Sequence, residues 1–295
     1  MIFGQMNKYH SNNFKTMKKY AVLGYDTINI GDDIQSFVAS TLVKPSYIVM
    51  RDNYEEVYDF ETGERVELTE KVYLIMNGWF MHGSEWKGPS KTMDGIKFPY
   101  ESEFIVPIFI STCLSPDCKD LSSIKSIEYY KKYSPILCRD KTTLKMLQEN
   151  GVESEFFGCI TSNLDIKDVP DNQDYKNLYS GKTLFVHGDD LFRFDSIRTN
   201  EEPLIINHYI QELKKVNPKD RIVAAGDLLS QYKYCSKIYT TRLHCLLPSK
   251  SMGIDVEFIT ADGKDCYRTK DLIAHKVTKE NLKEKIDSII KNLEK

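Results

Sequence analysis

The residues best suited to chemistry lie in the stretch 239–254, YTTRLHCLLPSKSMGI. Arg242 and His244 stand two apart, after a β-branched and aromatic run and before an apolar one. That pattern predicts a strand ending at Thr241, a turn, and a helix closed by Gly253 in the left-handed conformation. A strand end that feeds a helix N-terminus is where α/β domains take up anions. Arginine offers a planar fork for carboxylate or phosphate, and histidine moves a proton near neutral pH. The same pair also reads as two solvated side chains at a turn.

Other candidates fall at predicted strand ends. Asn29-Ile30-Gly31-Asp32-Asp33 joins a short apolar strand, 20–24, to a helix carrying Ile34, Phe37, Val38, Thr41 and Leu42 on one face. Asp32 or Asp33 is the expected N-cap, and Asp32 could equally orient or deprotonate a hydroxyl. One glycine makes neither a dinucleotide fingerprint nor a phosphate loop. A strand over 72–76 leads to Asn77-Gly78-Trp79-Phe80-Met81-His82. Trp79 could stack on a ligand ring or fill the core, and His82 reads as a ligand-facing or a packed histidine. His187 ends the strand 184–186 and could face a phosphate. His208, in a helix predicted near 205–216, reads as surface or core. Arg139-Asp140 reads as a helix cap with a structural ion pair.

These residues need elements to position them. Strands and helices alternate: further strands are predicted at 47–51, 104–111, 136–138, 155–157, 222–225, 237–241 and 256–260. Helices are predicted at 122–131, 140–150 and from Asp227. Glu61-Thr62-Gly63-Glu64 reads as a hairpin tip, and 83–99 as a long loop. The polar stretch 167–182 divides the chain into two halves of one parallel α/β pattern. Leu282, Ile286, Ile289, Ile290 and Leu293 make a terminal amphipathic helix expected to pack back on the body.

The 295 residues, 41% apolar and 12% aromatic, are ample for a buried core. A net charge of −3 gives no electrostatic case for nucleic-acid binding, so an anionic ligand must be held by local cations. Seven scattered cysteines without C-x-x-C spacing read as reduced and buried, as in a cytoplasmic protein, and no Cys/His pair has zinc-ligand spacing. No apolar run is long enough to span a bilayer.

Three stretches, taken together, resemble the polysaccharide pyruvyl transferases. Asn29 to Asp33 is similar to the family's N-x-G-D turn. Arg139-Asp140 through Gly158-Cys159-Ile160-Thr161 is similar to its mid-chain block. Thr240 to Gly253 is similar to its R-L-H block. The resemblance covers about residues 20–259 and implies two Rossmann-like domains facing across a cleft, of the glycosyltransferase-B type. It implies an N-terminal acceptor domain at 17–168, a linker at 169–182 and a C-terminal donor domain at 183–275. The terminal helix would occupy 276–295. It also implies transfer of a pyruvyl group from phosphoenolpyruvate to a sugar or glycan as a cyclic ketal, with no cofactor and no metal.

On this reading His244 and Asp32 are the candidate catalytic residues. Arg242, His187 and Thr241 would hold the donor, and Asn29, Gly31, Asp33, Trp79 and His82 the acceptor. The chain is short for the family, and Cys245 stands where Gly or Ser is expected. A glycosyltransferase using a nucleotide sugar and a non-catalytic carbohydrate-binding protein of the same fold are the competing readings. The acceptor sugar and oligomeric state, including a homo-oligomer, stay open. Residues 1–16 are polar and precede the first strand, so a chain starting at Met17 is expected to melt within a few degrees of the full chain in a thermal scan.

Overall fold

The computed structural model describes residues 18–80, 102–115, 122–260, Leu272 and 279–294. The first half contains β1 (Lys19–Gly24), α1 (Ile30–Val43), β2 (Tyr47–Met50), β3 (Asn53–Asp59), β4 (Arg65–Val66), β5 (Val72–Phe80) and β6 (Ile105–Leu114). It continues through α2 (Ile124–Lys132), β7 (Ile136–Cys138), α3 (Lys141–Glu149) and β8 (Ser154–Phe156). The second half contains α4 (Gln173–Tyr179), β9 (Thr183–His187), β10 (Leu204–Asn207), α5 (Pro218–Tyr234), β11 (Lys237–Thr240), α6 (Leu243–Ser251) and β12 (Val256–Phe258). The last helix, α7, spans Lys279–Leu293.

The large sheet has the order β4-β3-β2-β1-β5-β6-β7-β8, parallel except for the β2-β3-β4 edge. The small sheet, β10-β9-β11-β12, is parallel throughout. Each reverses its winding once, between β1 and β5 and between β9 and β11. Open α/β sheets bind ligands outside the strand carboxyl ends at such a reversal. The central strands are apolar runs because both their faces are covered; Ala21, Val22 and Leu23 are fully buried.

The two sheets share a core. One apolar cluster joins Val22, Ile34, Val38 and Ile75 to Leu184, Ile222, Leu229, Ile238 and Cys245, and α7 adds Leu282, Ile286, Ile289 and Ile290. A second cluster fills the opposite face of the large sheet under α2. Polar bonds cross the same seam. Arg221 on α5 forks onto Asp33 on α1, with Nε to Oδ1 at 3.0 Å and Nη2 to Oδ2 at 2.9 Å. Its remaining donors reach the Thr27 carbonyl at 2.7 Å and the Leu213 carbonyl at 3.1 Å. Asn217, the α5 cap, donates from Nδ2 to the Gly63 carbonyl at 2.7 Å, which docks the predicted hairpin tip on that helix.

Several local expectations change. The predicted strand 222–225 lies inside α5, because Asn217-Pro218 starts a helix whose buried face is Ile222, Ala225, Leu229 and Tyr232. The predicted helix at 205–216 is instead the edge strand β10 followed by a 3-10 turn. Asn29, not Asp32 or Asp33, caps α1 by accepting from the Gly31 N–H. Residues 77–80 continue β5 rather than leaving it. The polar stretch between the halves contains α4, capped by Asn172. The loop predicted at 83–99 lies outside the described residues.

Replacing Arg221 with Leu strands a buried carboxylate, so it should cost about 3–5 kcal/mol in urea unfolding, and adding Asp33→Leu should recover most of that loss. A loss under about 1 kcal/mol for Arg221→Leu would show that this bond does not hold the halves together.

Candidate functional site

The small sheet builds the corner around Arg242. β9 ends at His187 and β11 at Thr240. Thr241 donates from its N–H to Val186 O at 3.1 Å and from its hydroxyl to Asp190 Oδ1 at 2.8 Å. The same carboxylate oxygen accepts from the Gly188 N–H at 3.0 Å. Arg242 follows, its N–H bonded to Thr240 Oγ1 at 2.9 Å. Its guanidinium lies 4.6 Å from the Tyr209 ring centroid, and Nη2 donates to the Tyr209 hydroxyl at 3.2 Å. Arg242 also occupies the N-cap of α6 and offers no side-chain acceptor there. A cation at the positive end of a helix is unfavourable alone and favourable with a shared anion. His187 is buried, and its Nδ1 has no partner among the described residues.

The large sheet contributes the turn between β1 and α1. Thr27 donates its hydroxyl to Asp32 Oδ2 at 2.8 Å. Burial pushes the Asp32 carboxyl above the usual carboxylate range, while Arg51, the Thr27 bond and Arg139 pull it back. Arg51 forks onto Asp52 and stands 5.0 Å from the Tyr25 ring centroid. Tyr25 in turn donates to the Asn77 carbonyl at 2.9 Å. The Asn77 side chain is fully buried, and neither amide atom has a partner among the described residues. Arg139 reaches Gln35 Oε1 on α1 at 3.2 Å, whereas Asp140 caps α3 through the Thr143 N–H at 2.8 Å.

These corners meet at α1. A Cβ on Gly31 would lie 3.1 Å from His244 Nδ1 and 3.2 Å from His244 Cβ. The glycine therefore lets the first turn of α1 close against the histidine of α6. The contact is fixed from the side by a short backbone ladder. Ile30 N–H donates to His208 O at 3.0 Å, Ile210 N–H donates to Ile28 O at 2.8 Å, and Asn29 bridges Tyr209. The mid-chain block arrives from a third direction. Gly158 turns with φ +86°, Ile160 N–H bonds Ser111 Oγ at 2.8 Å, and Cys159 packs on Leu243 and Leu247 of α6.

The predicted site residues thus divide. Asn29 and Arg242 are linked through Tyr209 and Gly31 meets His244, while His187 bonds His208, which in turn bonds Ile30 of α1. Asp32 shares their helix turn and faces Thr27. Asp33 spends both oxygens on Arg221. Trp79 is half-buried on β5, and His82 lies outside the described residues. Tyr209 and Gly188 emerge as site residues only from the structure. Gly188 had a signal, a glycine at a strand end, whereas nothing in the sequence marks Tyr209.

His208 is neither a surface nor a helical residue. It is fully buried at the end of β10, with Nε2 2.6 Å from the Tyr232 hydroxyl. Burial, then Arg242 and His187, push its pKa down to about 3.

Among the described residues no cluster of His, Cys, Asp or Glu could hold a metal ion, and no helix is long and apolar enough to cross a membrane. The described cysteines are free and buried.

The protein is thus an α/β chain with a mixed and a parallel sheet, in which the N-termini of α1 and α6 meet beside an arginine-histidine pair. The chain belongs to the polysaccharide pyruvyl transferase family, whose model matches residues 29–256. No curated protein matches it. It is similar to the crystal structure of the uncharacterized protein KP1_0663 from Klebsiella pneumoniae subsp. pneumoniae NTUH-K2044, at 14% identity and a TM-score of 0.49. That likeness covers 88% of this chain and 92% of the other.

His208 generates a pH prediction. Its folded pKa lies below the ordinary 6.5, so the fold favours the neutral ring. The corresponding stability is present above pH 6.5 and is lost as pH falls toward 3. Between pH 7 and pH 5 this one group should cost roughly 2 kcal/mol of unfolding free energy, and His208→Gln should lose correspondingly less over the same interval. Equal losses in urea titrations of the two proteins would exclude His208 as the acid-sensitive group.

Proposed function

We propose that this chain transfers the pyruvyl group of phosphoenolpyruvate to two hydroxyls of a sugar in a poly- or oligosaccharide, forming a cyclic ketal. The observation that carries the reading is the apposition of Gly31 to His244, because it puts the first turn of α1 beside the arginine-histidine pair. In this reading the sheets are the two sides of a glycosyltransferase-B arrangement. The acceptor lies against residues 17–168 and the donor against residues 183–275.

Phosphoenolpyruvate carries a carboxylate and a phosphate on one small frame. Arg242 supplies a fork for one of them, and the N-terminus of α6 supplies backbone dipoles. His187 and Thr241, at the end of β9 and just past β11, complete the donor side in this reading. Protonation of C3 makes C2 electrophilic. One sugar hydroxyl attacks C2, the C2–O bond to phosphate breaks, and a second hydroxyl closes the ketal. The two hydroxyls release two protons, one offsetting that delivered to C3 and one leaving with phosphate. His244 is the proton carrier in this scheme, and Asp32 is the group that orients or deprotonates the acceptor hydroxyl. Its raised pKa suits a group that exchanges protons. No step needs a metal.

The test separates binding from turnover. Arg242→Lys keeps the charge and loses the fork, so it should mainly weaken donor binding measured by calorimetry. His244→Ala should lower kcat for phosphate release by roughly 10²-fold or more, with donor affinity within a few fold. Cys245→Ser is the control and should be nearly silent. Normal turnover by His244→Ala, or no phosphoenolpyruvate binding to the wild type at millimolar concentration, rejects pyruvyl transfer and favours a nucleotide-sugar donor.

A further inference from the structure

We infer that Tyr209 and Gly188 form a two-sided cage that positions Arg242, and that Tyr209 ties the donor cation to the acceptor turn. The aim of the guanidinium at a donor anion rests on the pyruvyl-transfer reading; the cage itself does not.

Gly188 forms one wall. A Cβ there would lie 2.6 Å from Arg242 Nη1, 2.9 Å from Cζ and 3.2 Å from Nε. Its backbone is not in the left-handed region, unlike that of Gly63, Gly151, Gly158, Gly181 or Gly253. The glycine is therefore needed for space and not for conformation. Tyr209 forms the other wall, with its ring centroid 4.6 Å from the guanidinium carbon and its hydroxyl accepting from Nη2 at 3.2 Å. Stacking and a hydrogen bond together restrict a side chain that is otherwise rich in rotamers.

Tyr209 is itself held on two sides. Its N–H donates to Asn207 Oδ1 at 2.8 Å, and Asn207 Nδ2 donates to Asp189 Oδ1 at 2.6 Å. Asp189 is the residue after Gly188 and takes φ +65°, uncommon for a residue with a side chain. On the other side Tyr209 bridges Asn29, the cap of α1, two residues before the Gly31 that touches His244. Arg242 and His244 are thus braced from one bridged pair of segments, 28–30 and 208–210. A preorganised arginine binds its anion without first losing that freedom. Tyr209 is accordingly a positioning residue, and its loss should appear in donor affinity more than in turnover.

The experiment uses the full chain with Tyr209→Phe, Tyr209→Ala and Gly188→Ala. Arginine Nε–H groups are followed by ¹⁵N NMR, with Arg242→Lys identifying the Arg242 signal. In the wild type that signal should be displaced by the Tyr209 ring current. It should keep the displacement in Tyr209→Phe and lose it in Tyr209→Ala. Phosphoenolpyruvate affinity by calorimetry should fall roughly tenfold or more in Tyr209→Ala and Gly188→Ala and a few fold in Tyr209→Phe, with kcat at saturating donor nearly unchanged. Thermal melts verify folding, and Gly188→Ala tests the cage from its other wall should Tyr209→Ala fail to fold. An Arg242 signal unmoved by Tyr209→Ala overturns the inference. So does donor affinity within about twofold of wild type in both Tyr209→Ala and Gly188→Ala. If the wild type binds no phosphoenolpyruvate, the pyruvyl-transfer reading falls, and the NMR result alone decides whether the cage exists.

Discussion

The bond between Asp33 and Arg221 constrains everything around it. The two residues are 188 positions apart, both are buried, and each would be costly alone. A buried carboxylate tolerates few geometries, so α5 must approach the first turn of α1 at one angle and height. Arg221 also holds the Thr27 carbonyl, and Thr27 holds Asp32. One guanidinium therefore fixes the turn, the helix start and the seam between two sheets. A well-packed apolar pair could supply comparable stability without specifying that orientation. We attribute the charge pair's presence to registration of the site, the role for which buried ion pairs are best attested.

Given that registration, two helix N-termini come together. α1 begins at Ile30 and α6 at Leu243, and Gly31 lets them touch at His244. Each terminus contributes partial positive charge, and Arg242 adds a full one. This positive contribution is local, in a chain whose net charge is −3. The same environment disfavours a second cation nearby, which is one reason His208, beneath Arg242, is neutral. A charged His208 would be desolvated and repelled, whereas the neutral ring bonds Tyr232.

Much of this was legible in the sequence because it depends on short-range pattern. The strand, turn and helix around Arg242 and the positive φ of Gly253 follow from residues adjacent in the chain. The strand end at His187 follows from an apolar run. Local pattern does not suffice where a tertiary partner decides the outcome. Ile222-Val223-Ala224-Ala225 is β-branched and apolar enough for a strand, yet Asn217-Pro218 and the surface of α1 make it helical. Residues 204–207 form an edge strand because β9 offers its ladder, and their own pattern does not require it. Asn29 displaced two aspartates as cap because Asp33 is taken by Arg221 and Asp32 by Thr27. Tyr209 had no signature at all, since its role comes from a single bridge between segments 180 residues apart in sequence, roughly, and an arginine further on.

The family-matching span runs from Asn29, the cap of α1, to Val256, the first residue of β12. It contains the Asn29 bridge, the Gly31–His244 contact and the Arg242 cage, while Thr27 and Ile28, which bond Asp32, Arg221 and Ile210, lie just before it. It leaves out β1 and α7, yet these supply buried residues at the centre and back of the shared core. β1 is the middle strand of the large sheet and sits beside its winding reversal, so it sets where the β1–α1 turn emerges. α7 covers apolar surface beside α1 and β6 of the large sheet. The candidate site and much of its support thus occupy different parts of the chain. Substitutions within α7 should act through stability, while those in the 28–31, 187–190, 208–210 and 240–244 segments act on the geometry of one corner.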